Sequence, residues 1–164
     1  MIIEINRYLV PLTRDKFAQV CPEGWKKVKL FKWHYATRGY AERRASREPG
    51  QLKTKLVKMH RFLIDCPDDK DVDHINGDTL DNRLCNLRVC TRGQNNMNRV
   101  KKPNCSSIYK GVSWQKKIKR WVAKISINNK TVYIGTYTDE KEAARAYNKA
   151  AKKHFGEFAR LNEV

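Results

Sequence analysis

The sequence predicts an α+β chain built from two folded parts, and three patterns carry that prediction. Short β-type runs separated by polar stretches occupy the first 63 residues. A polar, turn-rich segment follows at residues 72–96. Beyond residue 107 the apolar residues first alternate and then recur with helical spacing, which predicts strands followed by a helix. A length of 164 residues allows one ordinary domain or two small ones, so we do not expect a large multidomain enzyme.

The chain is strongly basic along its whole length. Its 35 Lys and Arg residues outnumber 17 Asp and Glu, which gives a formal charge of +18, and +8 of this falls after residue 104. An excess of this size favours nucleic acid or an anionic membrane as the partner. No apolar window approaches the roughly 18 residues of a membrane span. The Trp residues fall in strand-like runs rather than on a basic amphipathic helix. We therefore expect a nucleic-acid partner and no membrane association.

The region up to residue 63 is predicted to be a small, irregular, β-rich unit. Its β-type runs lie at residues 27–33, 40–43 and 53–59. Either a short helix or a strand is expected to begin within residues 59–64 and to lead into the next segment. The five cysteines are odd in number, scattered and without a C-x-x-C pair, which favours a reducing cytosol over a disulfide framework.

A basic, polar stretch interrupted by Pro103 is predicted to connect the two folded parts. We therefore expect an N-terminal part at residues 1–99, a linker at 100–106 and a second domain at 107–164.

The second domain is predicted to be a three-stranded antiparallel sheet packed on one helix. Its β-type runs span residues 109–114, 120–127 and 130–136, and an Asn-Asn pair suits the tight turn between the last two. Thr138 or Asp139 can cap the helix, and Gly156 can end it. The helix carries an apolar stripe that is expected to cover one sheet face and leave the other free to bind: Ala143, Ala144, Tyr147, Ala150 and Ala151.

Residues 72–96 carry the chemistry. They contain D-H-I-x-G from Asp73, N-x-x-x-N-L-R from Asn82 to Arg88, and R-x-x-N from Arg92 to Asn95. This pattern resembles the HNH nuclease motif of the ββα-metal type, especially its homing-endonuclease branch. The resemblance implies a phosphodiester hydrolase that acts on double-stranded DNA, in the cytoplasm of a bacterial or phage-infected cell.

The residues suit that chemistry. Hydrolysis of a phosphodiester needs an activated water, a cation on the phosphate oxygens and help for the leaving oxygen. His74 can act as the general base and Asp73 as an oxygen ligand of Mg²⁺ or Mn²⁺. The resemblance places the second metal ligand at Asn95, 21 residues after His74, with Asn96 as the alternative.

The resemblance also implies supporting roles. Asn86 is expected to tie the loop by hydrogen bonds and so orient His74, with Asn82 as its competitor for this role. Arg83 and Arg88 could clamp phosphates, and His60 is expected to be structural.

Cys66, Cys85 and Cys90 could gather around zinc, but the paired C-x-x-C spacing of zinc-bearing relatives is absent. We expect buried free thiols and no structural zinc.

Residues 109–162 resemble the DNA-binding domain of plant ethylene-response factors, which lays a three-stranded sheet in the major groove. Ser113 stands where that family usually has Arg, so a base preference cannot be transferred. Trp121 falls where Phe is more frequent and is expected in the core. Five residues fall on the contact positions of the family: Lys110, Trp114, Arg120, Lys124 and Tyr133. For Trp114 the alternative is a core aromatic.

Two functional hypotheses follow from the sequence. The first is a metal-dependent homing-type endonuclease whose second domain chooses the site while the first cuts near it. The second is a non-catalytic DNA-binding regulator that retains the HNH segment as a scaffold. No feature of the sequence indicates an obligate protein partner.

Overall fold

The computed structural model describes residues 7–45, 54–101 and 103–164. The chain forms two compact units, residues 1–91 and residues 92–164. The two units each contain helices and antiparallel strands, so the predicted α+β class is confirmed. The functional boundaries predicted above, with a linker at 100–106, stay a prediction.

The first unit begins with a hairpin of β1 (Tyr8–Pro11) and β2 (Phe17–Val20), followed by helix α1 (Pro22–Val28). The predicted β-type run at 27–33 is wrong. Helix α1 begins with proline at its first turn, a position where the missing N–H costs nothing, and it extends into that run. The Trp33 indole then donates to the Val28 carbonyl at 3.0 Å and closes the following turn.

A small sheet and a second helix complete the support for the polar segment. Strands β3 (His34–Tyr35), β4 (Ala41–Arg44) and β5 (Leu56–Lys58) form the sheet in that order. The predicted run at 40–43 is thus confirmed within a residue, whereas the start of the run at 53–59 lies outside the described residues. Helix α2 (Met59–Leu63) resolves the alternative at 59–64 in favour of a helix, and its Met59 and Leu63 join the buried core.

The polar segment forms two strands. Strands β6 (Asp71–His74) and β7 (Leu87–Cys90) pair antiparallel, with Asp73 opposite Arg88 and His74 opposite Leu87. The loop of residues 75–86 joins them and ends in a short 3₁₀ turn. Helix α3 (Arg92–Asn98) follows directly after Thr91 and belongs to the second compact unit.

The second unit contains the predicted meander. Strands β8 (Val112–Gln115), β9 (Arg120–Ile127) and β10 (Lys130–Tyr137) are ordered β10-β9-β8, and all pairs are antiparallel. Asn128 and Asn129 both have positive φ, 48° and 62°, as the predicted tight turn requires. The first strand begins three residues later than expected.

Helix α4 (Glu140–Phe155) packs on this sheet as the apolar stripe predicts. The side chain of Asp139 caps it by accepting from the Glu142 N–H at 2.8 Å, and Gly156 follows its last residue with a φ of 54°. Four of the five stripe residues are fully buried and Ala150 is half-buried. None of the described helices is long and apolar enough to cross a membrane.

Candidate functional site

Asp73 is a buried carboxylate that is held by Arg88. Both Nε and Nη2 of Arg88 donate to the same Asp73 oxygen, Oδ2, at 2.9 and 2.7 Å. The two residues are opposite each other in the β6–β7 register, and their side chains are 5% and 14% exposed. Because burial strengthens such a pair and makes either partner costly alone, Arg88 fixes Asp73 in place. Its predicted role as a phosphate clamp stays a prediction.

His74 lies next to Asp73 and is packed among aromatic rings. Its ring centre is 5.1 Å from that of His60, edge to face, and 6.1 Å from that of Tyr40. Burial lowers the pKa of His74, while the hydrogen bond to Asn82 and the Asp73 carboxylate act in the opposite direction. Burial, with His74 second, lowers the pKa of His60 to about 3, so His60 is a neutral packing ring at pH 7.

Asn82 sets the proton arrangement of His74. The Asn82 amide nitrogen donates to the Leu80 carbonyl at 3.2 Å, which orients its oxygen Oδ1 towards His74 Nε2, 3.3 Å away. An oxygen can only accept, so Nε2 carries the hydrogen and Nδ1 carries the lone pair. A neutral imidazole with a lone pair on Nδ1 is able to accept a proton.

Asn86 ties the two ends of the loop together. Its side-chain oxygen accepts from the Asn76 N–H at 3.0 Å, and its amide nitrogen donates to the Asp81 carbonyl at 2.7 Å. Its backbone carbonyl also accepts from the Ile75 N–H at 2.9 Å. The two competing asparagines therefore have separate roles: Asn86 organises the loop, whereas Asn82 contacts the His74 ring directly.

Asp81 is the loop residue that the sequence reasoning missed. Arg83 donates to its two oxygens at 2.7 and 2.6 Å, and Asn76 donates to it at 2.8 Å. The Arg83 hydrogen bond lowers the pKa of Asp81, which keeps the carboxylate charged although the residue is 2% exposed. No periodic pattern signals this pair, because residues two apart in a loop have no fixed mutual geometry. Arg83 as a phosphate clamp stays a prediction.

The N-terminal region holds the loop from outside. Gln19 of strand β2 accepts from the Asn82 N–H and donates to the Leu80 carbonyl, both at 2.8 Å. The Thr79 hydroxyl donates to the Gly39 carbonyl at 2.6 Å. Gly39 has a φ of 85°, which glycine adopts without strain. The region before residue 63 therefore acts as a scaffold for the loop of residues 75–86.

Asn95 and Asn96 lie on helix α3, in the second compact unit. Met97 of this helix packs against the buried cluster that contains Tyr147 and Phe155. The ammonium group of Lys110 donates to the Met97 carbonyl. Burial lowers the pKa of Lys110 to about 8. Lys110, predicted as a DNA contact, is thus partly buried and bound to helix α3, while its role towards DNA stays a prediction.

Three of the predicted DNA contacts share the sheet face opposite helix α4. Ala123 and Ile125 of β9 are buried on the helix side, so Lys124 points to the other side. Arg120 has the same alternation as Lys124, and Tyr133 is the cross-strand partner of Lys124. All three are exposed, Tyr133 by 57%. Each is therefore accessible on that face.

Trp114 and Trp121 do not share that face. They are opposite each other in the β8–β9 register, and their ring centres are 5.0 Å apart. Trp121 packs against the core cluster that contains Val112, which confirms its expected place in the core. Trp114 has the same alternation as Val112 and is half-buried. A DNA contact from Trp114 would therefore have to come from the edge strand.

The donors available to a metal are mainly oxygens. No group of three or more His, Cys, Asp or Glu side chains within residues 7–45, 54–101 and 103–164 is gathered so that it could hold a metal ion. The thiols of Cys66 and Cys90 contact backbone carbonyls, and burial raises the pKa of Cys90 to about 11. The Asp73 carboxylate and the Asn95 amide, by contrast, are the hard donors that Mg²⁺ and Mn²⁺ prefer.

The fold and the site define a class: an Asp-His pair on a ββ hairpin, followed by a helix, and a three-stranded sheet backed by a helix. Residues 65–97 match the HNH endonuclease family, and residues 107–157 match the AP2 domain. "Uncharacterized HNH endonuclease L560" of Acanthamoeba polyphaga mimivirus is 34% identical over 173 residues, 99% of this chain and 84% of that protein. The chain belongs to the HNH endonuclease family. The resemblances to the HNH motif and to the plant DNA-binding domain are confirmed, whereas the homing branch stays a prediction.

Plant proteins match a smaller share of the chain. "AP2-like ethylene-responsive transcription factor At2g41710" of Arabidopsis thaliana is 33% identical over 98 residues, 52% of this chain and 20% of that protein. "AP2-like ethylene-responsive transcription factor AIL7" of the same plant is 45% identical over 53 residues, 31% of this chain and 11% of that protein. The shared part is thus a small fraction of each plant protein.

Proposed function

We propose that this protein is a divalent-metal-dependent DNA endonuclease of the homing kind. The observation that carries the proposal is the setting of His74, which is buried, beside Asp73, and oriented by Asn82 with its lone pair on Nδ1. Its membership of the HNH endonuclease family supports the same reaction.

His74 acts as the general base. Its lowered pKa leaves the imidazole neutral at pH 7, so Nδ1 can take the proton of the water that attacks the phosphorus. The hydrogen bond from Nε2 to Asn82 Oδ1 strengthens as the ring becomes positive, because the acceptor oxygen then faces a charged donor. The neutral His60 ring packs against His74 and limits its rotation.

Asp73 and Asn95 would hold the cation. Their carboxylate and amide oxygens fit the hard-ligand preference of Mg²⁺ and Mn²⁺, and Asn96 is the alternative to Asn95. When bound, the cation would supply positive charge to the phosphate oxygens and to the leaving 3′ oxygen. Arg88 keeps the Asp73 carboxylate in a fixed orientation for this purpose.

Double-stranded DNA is the proposed substrate. Arg120, Lys124 and Tyr133 are exposed side chains on one face of a sheet whose other face is covered by helix α4. Strands of a sheet can be placed in the major groove, where base edges are distinguishable, and basic side chains neutralise phosphates. The AP2 match over the same residues supports this interface.

Plasmid cleavage with and without EDTA tests the proposal. Substitution of a positioned general base costs about 10²- to 10⁴-fold in rate. We expect His74→Ala to reduce metal-dependent cutting by this factor and to leave DNA affinity within a few-fold. His154→Ala is the matched control, because His154 is exposed on helix α4. Cutting by His74→Ala at the wild-type rate would rule out this assignment.

A non-catalytic DNA-binding regulator is the second candidate. The names of the plant relatives, which are transcription factors, favour it for residues 107–164, the AP2 part of the chain. The same assay separates the two candidates, since a regulator would bind DNA with a steep salt dependence and leave the plasmid intact in Mg²⁺ or Mn²⁺.

A further inference from the structure

We infer that the AP2 part also positions the last element of the HNH motif, with Lys110 and Met97 as positioning residues. The inference rests on the proposed nuclease function and concerns helix α3. By sequence all but the last residue of this helix lie inside the HNH match, which ends at residue 97. By packing it belongs to the compact unit that contains the AP2 match.

Helix α3 is not expected to be stable in isolation. It has seven residues, R-G-Q-N-N-M-N, including one glycine and three asparagines, which are poor helix formers. Isolated helices shorter than about 12 residues are marginal in water even with good helix formers. Its order therefore depends on tertiary contacts.

The AP2 part supplies those contacts. Met97 is the one apolar residue of α3, and it packs against a cluster that contains Ile125 of the sheet and Tyr147 and Phe155 of helix α4. The Met97 carbonyl lies in the last turn, where backbone acceptors lack intrahelical partners. Lys110 donates its ammonium group to that carbonyl, and a cation also stabilises this end of a helix dipole.

The backbone of Lys110 is held by two hydrogen bonds to the side chain of Asn162. Asn162 Oδ1 accepts from the Lys110 N–H at 2.6 Å, and Asn162 Nδ2 donates to the Lys110 carbonyl at 3.1 Å. Asn162 is fixed in turn to Asn148 of helix α4 by two hydrogen bonds of 2.8 Å. A continuous series of polar contacts thus runs from helix α4 through Asn162 and Lys110 to helix α3, which bears Asn95.

This arrangement changes what Lys110 is expected to do. A DNA contact at this position would raise the dissociation constant for DNA when removed and leave the rate at saturating DNA unchanged. A positioning residue would do the reverse, because a displaced ligand or base is costly to the chemical step even when binding is intact.

The experiment uses full-length protein with Lys110→Met, Lys110→Arg and Met97→Ala. Lys149→Met is the matched control, since Lys149 is an exposed lysine of helix α4 and the charge change is the same. Three quantities are measured: hydrogen exchange of the amides at residues 92–98 in metal-free protein, the single-turnover cleavage rate at saturating DNA, and DNA affinity.

We expect Lys110→Met and Met97→Ala to accelerate exchange in α3 by about 10-fold or more, the effect of losing a hydrogen bond to a charged group or a buried apolar contact. The single-turnover rate should fall by a similar factor, while DNA affinity matches that of Lys149→Met. Lys110→Arg should recover most of both losses, because it retains a cationic donor.

Two results would overturn the inference. One is unchanged exchange at residues 92–98 in both Lys110→Met and Met97→Ala. The other is a loss confined to DNA affinity, which would return Lys110 to the role of a DNA contact. If the wild-type protein does not cut at all, the proposed function fails, whereas the exchange data still decide whether the AP2 part orders helix α3.

Discussion

The loop of residues 75–86 and the AP2 sheet are stabilised by different forces. The loop is fixed by hydrogen bonds of polar side chains. The exposed Asn76 and the buried Asp81, Asn82 and Asn86 bond to one another, to Arg83 or to the backbone. The sheet is fixed by apolar residues of β8, β9 and α4, whose contacts are numerous and individually weak. Loss of one partner in the loop leaves a buried polar group unpaired, and such groups are expensive.

This contrast predicts where single substitutions are most damaging. In the polar region the loss of folding stability should depend on whether the substitution leaves a buried polar group without its hydrogen-bond partner. In the apolar region it should depend on whether the new side chain fits the space between its neighbours.

The largest effect is expected from Arg88→Met, which removes the paired cation from the buried Asp73 carboxylate. Breaking a buried ion pair from one side costs about 3–5 kcal/mol. The double variant Asp73→Leu, Arg88→Met removes both charges and should recover most of this loss, although it cannot support cleavage. The measurement is urea unfolding of metal-free protein, with hydrogen exchange at residues 71–90 to locate the change. A loss below about 1 kcal/mol in the single variant would contradict a stabilising role for the pair.

The next effect is expected from Gly111→Ala in the apolar region. Gly111 has a φ of 76°, and an added Cβ would overlap the Tyr147 ring and approach the Lys124 carbonyl. A side chain at positive φ costs about 1–2 kcal/mol and overpacking about 1–3 kcal/mol more. Tyr147→Leu in the same chain should relieve only the overlap with the ring, because the approach to the Lys124 carbonyl and the positive φ remain. Wild-type thermal stability of Gly111→Ala would show that the close approach is not maintained in solution.

The same contrast explains what the sequence could predict. The stripe on α4, the strand at 120–127 and the Asn128-Asn129 turn follow from periodicity and local backbone preference, and the structure confirms them. Helix α1 was missed because its last two residues, Lys27 and Val28, begin a run at 27–33 that also suits a strand.

For the candidate site, the sequence predicts the motif residues but not the side chains that they contact. The motif located Asp73 and His74, since their spacing to other residues is fixed by the family pattern. The partners that give them their chemistry, Arg88 for Asp73 and Asn82 for His74, depend on cross-strand register and loop closure. The placement of helix α3 on the AP2 part depends on Met97, a single residue without any periodic signal.

The smallest effect is a difference in pH dependence between the two regions. The pKa of His60 is about 3 in the folded protein and 6.5 when unfolded, so between these values the unfolded state binds more protons. The free energy of unfolding of the first region should therefore fall as the pH drops from 6.5 to 5, by at most about 1.4 kcal/mol per pH unit for His60. The lowered pKa of His74 acts in the same direction.

The stability of the AP2 part should instead change at alkaline pH. Its only histidine, His154, is exposed, whereas the pKa of Lys110 is lowered to about 8. Its unfolded state thus binds more protons between pH 8 and 10.5, and its stability should rise across that window. Region-resolved hydrogen exchange at pH 5, 6.5, 8 and 10 measures both slopes. His60→Phe keeps the packing against Tyr40 and His74 but cannot titrate, so it should reduce the acid slope of the first region and leave the AP2 part unchanged. An acid slope that persists in full in His60→Phe would mean that His60 is not buried as a neutral ring.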